Sequence, residues 1–148
     1  MITSVEHFSF TVSNMEQSLS FFSDLLGLEA SAIMEVDNPE VQTIIGMPGA
    51  RLRVALVKLP GGNPIELIEY LQPLGRAQDL ATSNPGIAHI AFEVSGLETM
   101  YQDLIGKGVQ FVNPPVWAPG NDGKGSWGVC YLKGPDQITI ELIEKKKP

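Results

Sequence analysis

The run Ile65-Glu66-Leu67-Ile68-Glu69 returns letter for letter as Ile140-Glu141-Leu142-Ile143-Glu144. A second pair of segments answers it: Glu6-His7-Phe8-Ser9-Phe10-Thr11-Val12-Ser13 parallels Ala88-His89-Ile90-Ala91-Phe92-Glu93-Val94-Ser95. The two echoes stand in the same order, so the chain reads as one unit written twice. Each copy opens on a strand that carries a histidine and closes on a strand that carries Ile-Glu-Leu.

Between those ends the two copies follow one pattern. Residues 4–12 and 87–94 alternate as half-buried strands do, with His7, Ser9 and Thr11 on one face and Phe8, Phe10 and Val12 on the other. His89, Ala91 and Glu93 share the face that matches His7. Ser13-Asn14-Met15-Glu16 and Ser95-Gly96-Leu97-Glu98 are capping-box patterns. Met15, Leu19, Phe22 and Leu26, and likewise Leu97, Met100, Tyr101, Leu104 and Ile105, then give helical stripes. Three strands follow in each copy, at 29–36, 52–59 and 64–71 in the first and at 109–112, 127–132 and 137–144 in the second. Residues 38–50 and 117–126 read as loops, rich in turn formers. The glycines of 117–126 do not follow a strand and open a helix, which excludes a nucleotide loop. The reading is α+β, one domain over 1–148, with module 1 at 1–75, a linker at 76–86 and module 2 at 87–148.

A net charge of −7 speaks against nucleic acid, which needs a basic face. Lys145-Lys146-Lys147, the one basic run, reads as a solubilising tail. Cys130 is the single cysteine and lies in an apolar run, so it reads as a buried structural thiol in a reducing compartment. No basic-then-apolar leader opens the chain, and no apolar window is long enough to span a membrane. These features predict a cytoplasmic protein that binds neither membrane nor nucleic acid.

With the apolar faces packed on the helices, His7, Glu66, His89 and Glu141 fall on the opposite face of a curved sheet. Gathering two carboxylates there costs several kcal/mol unless a positive charge joins them. His7 and His89 are the only histidines and occupy equivalent places. A divalent cation accounts for all four residues at once, and two imidazoles with two carboxylates suit Zn, Ni, Co, Mn or Fe(II) with positions left for water and substrate. Glu69 has the opposite side-chain parity and is the alternative to Glu66 if the register differs; the repeat alignment favours Glu66.

His7 in the opening strand, Phe21-Phe22 through Leu26-Gly27-Leu28, Ile65-Glu66-Leu67, Gly86 through Phe92, and Gly134-Pro135-Asp136 through Leu142 together resemble the vicinal oxygen chelate superfamily. That superfamily includes glyoxalase I, methylmalonyl-CoA epimerase, extradiol dioxygenases and bleomycin-type antibiotic-resistance proteins. The resemblance covers essentially the whole chain and implies tandem βαβββ modules forming an open, cupped β-barrel around a metal site. It places the four metal ligands on His7, Glu66, His89 and Glu141.

The resemblance also implies a homodimer and a glyoxalase-like lyase or isomerase that transfers a proton α to a carbonyl of a small oxygenated or thioester-linked substrate. In glyoxalase-like members the carboxylate matching Glu141 doubles as the base, with Glu66 the second candidate. Alternatives are a non-catalytic small-molecule binder, an Fe(II) extradiol dioxygenase, or a CoA-thioester epimerase. A dioxygenase triad would use His7, His89 and Glu141 alone. Counting back from Pro73-Leu74-Gly75, the epimerase ligand falls on Glu69, and the second proton-handling carboxylate of bacterial epimerases falls on Ala55. The family turn Asp-Pro-Asp-Gly is here Gly134-Pro135-Asp136-Gln137. Trp127 reads first as a packing aromatic of its strand, with a place beside the 117–126 loop on the substrate side as the alternative.

Overall fold

Alternation of apolar and polar residues builds the same sheet twice. The computed structural model describes residues 1–120 and 123–147 and falls into two units, Met1–Ala77 and Gln78–Pro148. In the first, β1 (Phe8–Thr11), α1 (Met15–Ser20), β2 (Met34–Val36), α2 (Pro39–Ile44), β3 (Arg51–Val57) and β4 (Ile65–Gln72) give a sheet of order β1-β4-β3-β2. In the second, β5 (Ile90–Glu93), α3 (Leu97–Gly106), β6 (Gln110–Phe111), β7 (Val116–Pro119), β8 (Ser126–Lys133) and β9 (Thr139–Lys146) give the order β5-β9-β8-β6, with β7 added against β8. Set α2 and β7 aside, and both units are βαβββ with one topology. The fold is α+β.

In each unit the first strand runs parallel to the last, because the helix returns the chain across one face between them. The odd-numbered residues of β4 and the even-numbered residues of β9 form the helix side. Ile65 and Leu67 are fully buried with Met15 and Phe22 in unit 1, and Ile140 and Leu142 with Leu97 and Leu104 in unit 2. Phe8 shares that side through its pairing with Ile65, but at the strand's end it remains half exposed. α1 continues as a π-helical turn over Phe21–Leu25, with Leu26 N–H donating to the Phe21 carbonyl. Gly27, at φ +72, then closes the helix, as its place after Leu26 predicts.

The helix starts differ from the expected capping boxes. At α1 the cap is Asn14, whose Oδ1 accepts from Gln17 N–H at 2.8 Å. At α3 the cap position is Gly96, in the left-handed region, and the acceptor comes from far along the chain. Glu144 of β9 takes the N–H groups of Gly96 and Leu97 at 3.2 and 2.9 Å. These two bonds, that to Leu97 first, hold the Glu144 carboxyl below its usual range. Its contribution to stability is therefore present above the ordinary Glu value of about 4.3 and lost as pH falls through the lower folded value. Glu144→Gln should lower the denaturation midpoint at pH 7 and flatten the fall in stability below pH 4.5. Urea titrations at pH 7 and pH 3.5 check this, and an unchanged midpoint at pH 7 contradicts it.

Two segments expected as loops carry regular structure. Asn38 caps α2 by accepting from Val41 N–H at 2.9 Å, and Pro39 stands in the first turn. β7 is a strand because its residues pair with β8 from Val116–Val129 to Pro119–Ser126. Lys145 and Lys146 are not a tail; they end β9, paired with Trp127 and Ser126. Asn121 and Asp122 of the 117–126 loop lie outside the described residues. The turn before β9 holds Asp136 at φ 52 and Gln137 at φ 68, so a non-glycine residue takes the left-handed place of the family glycine.

β7 is fastened to the helix side by Trp117. Its Nε1 donates to Glu98 of α3 at 2.7 Å, and Lys146 Nζ stands 3.8 Å from a ring centroid. The indole lies against Gly128, where an added Cβ would fall 2.7 Å from the ring. Gly128→Ala should therefore cost about 1–3 kcal/mol of stability through overpacking. Denaturant unfolding measures this directly, and a loss near zero contradicts the packing.

Candidate metal centre

Each unit builds one histidine–carboxylate pair, and the sheet register explains how. In unit 1, Ser9 of β1 is level with Glu66 of β4; in unit 2, Ala91 of β5 is level with Glu141 of β9. His7 and His89 each stand two residues before the level residue, hence on the same face as the carboxylate. His7 Nε2 lies 3.4 Å from Glu66 Oε2, and His89 Nε2 lies 3.1 Å from Glu141 Oε2. The imidazoles are each 40% exposed, whereas Glu66 is 23% and Glu141 14% exposed, so the acids are the more enclosed partners.

Those spacings fit a shared ion. Two donors bound at right angles about 2.1 Å from one cation stand about 3.0 Å apart. Each pair offers one imidazole nitrogen and one carboxylate oxygen at nearly that separation. Among the described residues no three His, Cys, Asp or Glu side chains are gathered as a ready metal cluster. Each unit by itself builds one such pair.

The surroundings of the pairs differ. His7 Nδ1 is bound to the Glu6 carboxylate. That bond, with the Glu66 charge adding and burial opposing, raises the His7 pKa above its usual value. It also orients the ring so that Nε2 is the atom offered to Glu66. The repeat puts Ala88 at the place of Glu6, so His89 lacks this neighbour. Glu141 instead stands level with Tyr131 of β8, whose ring lies 5.5 Å from the His89 ring. Burial first, and the Glu141 charge second, push the Tyr131 phenol above its usual pKa. In unit 1 the place of Tyr131 is taken by Leu56, level with Glu66. Sequence reasoning passed over Tyr131, though counting back through the 133–139 hairpin finds it opposite Glu141.

Glu69 lies on the helix side. Arg53 Nη1 donates to its Oε2 at 2.9 Å and the same guanidinium binds Glu16 of α1. Arg53 also holds the Glu16 carboxyl below its usual range. Glu69 thus has a cation of its own, on the face away from His7. Ala55 is fully buried and level with Leu67, where no proton-handling group could reach the pair. Cys130 is buried too, its thiol pushed up to about 11 by burial and then by the Glu98 charge, so it is an inert core group.

The chain is similar to known proteins over nearly its whole length. Residues 4–142 match the family described as the Glyoxalase/Bleomycin resistance protein/Dioxygenase superfamily. The chain belongs to that superfamily. Among solved structures it resembles a glyoxalase family protein from Bacillus cereus, with a TM-score of 0.84 at 21% identity, covering 99% of this chain and 96% of that one. Glyoxalase I of Leishmania major matches with a TM-score of 0.63 at 16% identity, over 97% of this chain and 87% of that one. A 2-epi-5-epi-valiolone epimerase from Actinomyces sp. is 26% identical over 143 residues, 94% of this chain and 78% of the relative. Superfamily members act on small molecules and commonly bind divalent metals. No helix among the described residues is long and apolar enough to cross a membrane.

Proposed function

We propose that this protein is a metal-dependent isomerase or lyase that moves a proton at the carbon α to a carbonyl of a small oxygenated substrate. The observation that carries the reading is the His–Glu pair made twice in one register, with donor spacings of 3.4 and 3.1 Å. His7, Glu66, His89 and Glu141 are the proposed ligands of one divalent ion. Glu66 is preferred to Glu69 because Arg53 already neutralises Glu69.

An ion held by these four residues would act as a Lewis acid on the carbonyl and neighbouring oxygen, lowering the cost of removing the α proton. Glu141 is the proton carrier: its carboxylate is the more enclosed of the two, and His89 and Tyr131 flank it. With His89 Nε2 and one oxygen of Glu141 given to the ion, the other Glu141 oxygen would take the proton and return it. The likeness to a 2-epi-5-epi-valiolone epimerase supports isomerisation over the lyase branch. The buried Ala55 sets the chain apart from a methylmalonyl-CoA-type arrangement with a second proton-handling acid at that place.

The test is deuterium exchange. Incubated in D2O with Zn, Ni, Co, Mn or Fe(II) and an α-hydroxy ketone such as 2-epi-5-epi-valiolone, the protein should place deuterium at the α carbon, read by NMR. Ligand binding without exchange under every metal would favour the non-catalytic binder. Oxygen uptake with a catechol and Fe(II) would favour the dioxygenase.

A further inference from the structure

The face of β9 that carries Glu141 continues with Ile143 and then Lys145, level with Val129 and Trp127 of β8. β7 extends the same rows, with Val116 level with Val129 and Ala118 level with Trp127. On β5 the residue level with Ile143 is Glu93. Past the His89–Glu141 pair, these strands therefore present an apolar strip. Its rows hold two charged side chains, and those two bind each other: Lys145 Nζ stands 2.6 Å from Glu93 Oε2. Trp127 Nε1 donates to the Pro119 carbonyl at 3.0 Å, which satisfies the indole's one polar group.

The strip is open in this unit and covered in the other. Leu56 holds the place of Tyr131 beside its acid, so two and four residues back Val54 and Leu52 hold the places of Val129 and Trp127. Val54 and Leu52 are 9% and 4% exposed, whereas Trp127 is 38% and Val116 60% exposed. Counted along β9, the two open rows lie about 7 and about 13 Å from Glu141. Hydroxyl groups laid on such rows would lose water without gaining partners, whereas a hydrocarbon body gains by leaving water. The indole face suits a flat ring in particular.

We infer that the substrate carries an uncharged aryl body, which lies along Ile143 and Val129 onto Trp127 while its carbonyl end faces the His89–Glu141 pair. As selection of a substrate this rests on the proton-transfer reading; the affinity of the strip for an aryl group does not.

The chain has two tryptophans, and Trp117 is bonded to α3 on the helix side. In metal-free Trp117→Phe the indole emission comes from Trp127 alone, and 2-hydroxyacetophenone should quench it along a saturating curve. In Trp127→Phe, which leaves Trp117, quenching should rise only linearly. Isothermal titration of the metal-free wild type should give hydroxyacetone, the same α-hydroxy ketone without the ring, an affinity at least ten-fold lower. Ile143→Ser should weaken the aryl ketone at least five-fold, and Glu141→Gln should hold it within two-fold, each variant checked for fold by circular dichroism. A protein that binds the aryl ketone in this way, yet exchanges no α proton when loaded with metal, fails the proton-transfer reading alone. Equal affinity for hydroxyacetone, linear quenching of Trp127 or full affinity in Ile143→Ser would each overturn the assignment of the strip. So would a dimer that shields Trp127 and that Trp127→Glu separates, because the strip would then belong to a second copy.

Discussion

Glu141→Gln should lower turnover roughly 10²–10⁴-fold, the range that a positioned acid–base group contributes. The substitution is nearly isosteric, so the strand and its pairing with Tyr131 should persist. An amide oxygen can still bind the proposed ion, but the amide cannot take a proton from carbon. The comparison that gives the number meaning is Glu66→Gln, assayed at saturating metal. Both acids are proposed ligands, and both variants should hold the ion less tightly. Once metal is restored, Glu66→Gln should recover most of its turnover and Glu141→Gln should not. The opposite order would move the proton carrier to unit 1, where Leu56 replaces Tyr131 beside the acid.

Phe22→Ala should cost about 3–5 kcal/mol. Phe22 is fully buried, with the Phe21 ring edge-on at 5.4 Å, and it sits in the π-helical turn that carries α1 to Gly27. Against the 5–15 kcal/mol typical of a domain, that loss removes much of the stability. Phe21, on the same turn but only partly buried, should lose clearly less as alanine. Denaturant titration of the two variants reads the difference. Equal losses would mean that the helix face is not packed as described.

The register of the pairs was legible in the sequence because it depends on parity alone. Repeating Ile-Glu-Leu after a histidine strand settles which face each residue takes, and β1–β4 and β5–β9 pair accordingly. Elements held by distant partners were less legible. Residues 116–119 become β7 only through β8, and the prolines before them, with Pro119 and the glycines after it, mask the strand. The cap of α3 comes from Glu144, 48 residues after Gly96, and local capping rules cannot see it. Asn38-Pro39 did announce α2, but none of its residues is buried and no apolar stripe marks it. The Arg53–Glu69 ion pair was not legible in the sequence either, because a cation arriving from β3 leaves no trace in the spacing of β4. Lys145 and Lys146 looked like a tail for a related reason: charge hides strand propensity at a sheet's end.

The most direct measurement is elemental analysis by mass spectrometry of the purified protein, beside His7→Ala, Glu141→Ala and Glu69→Ala, each checked for fold by circular dichroism. About one divalent ion per chain is predicted for the wild type after exposure to the Zn, Ni, Co, Mn and Fe(II) panel. His7→Ala and Glu141→Ala should each lose most of it, and Glu69→Ala should keep it. Full retention of metal by both His7→Ala and Glu141→Ala, or failure of the wild type to take up any of the five ions, would contradict the joint site.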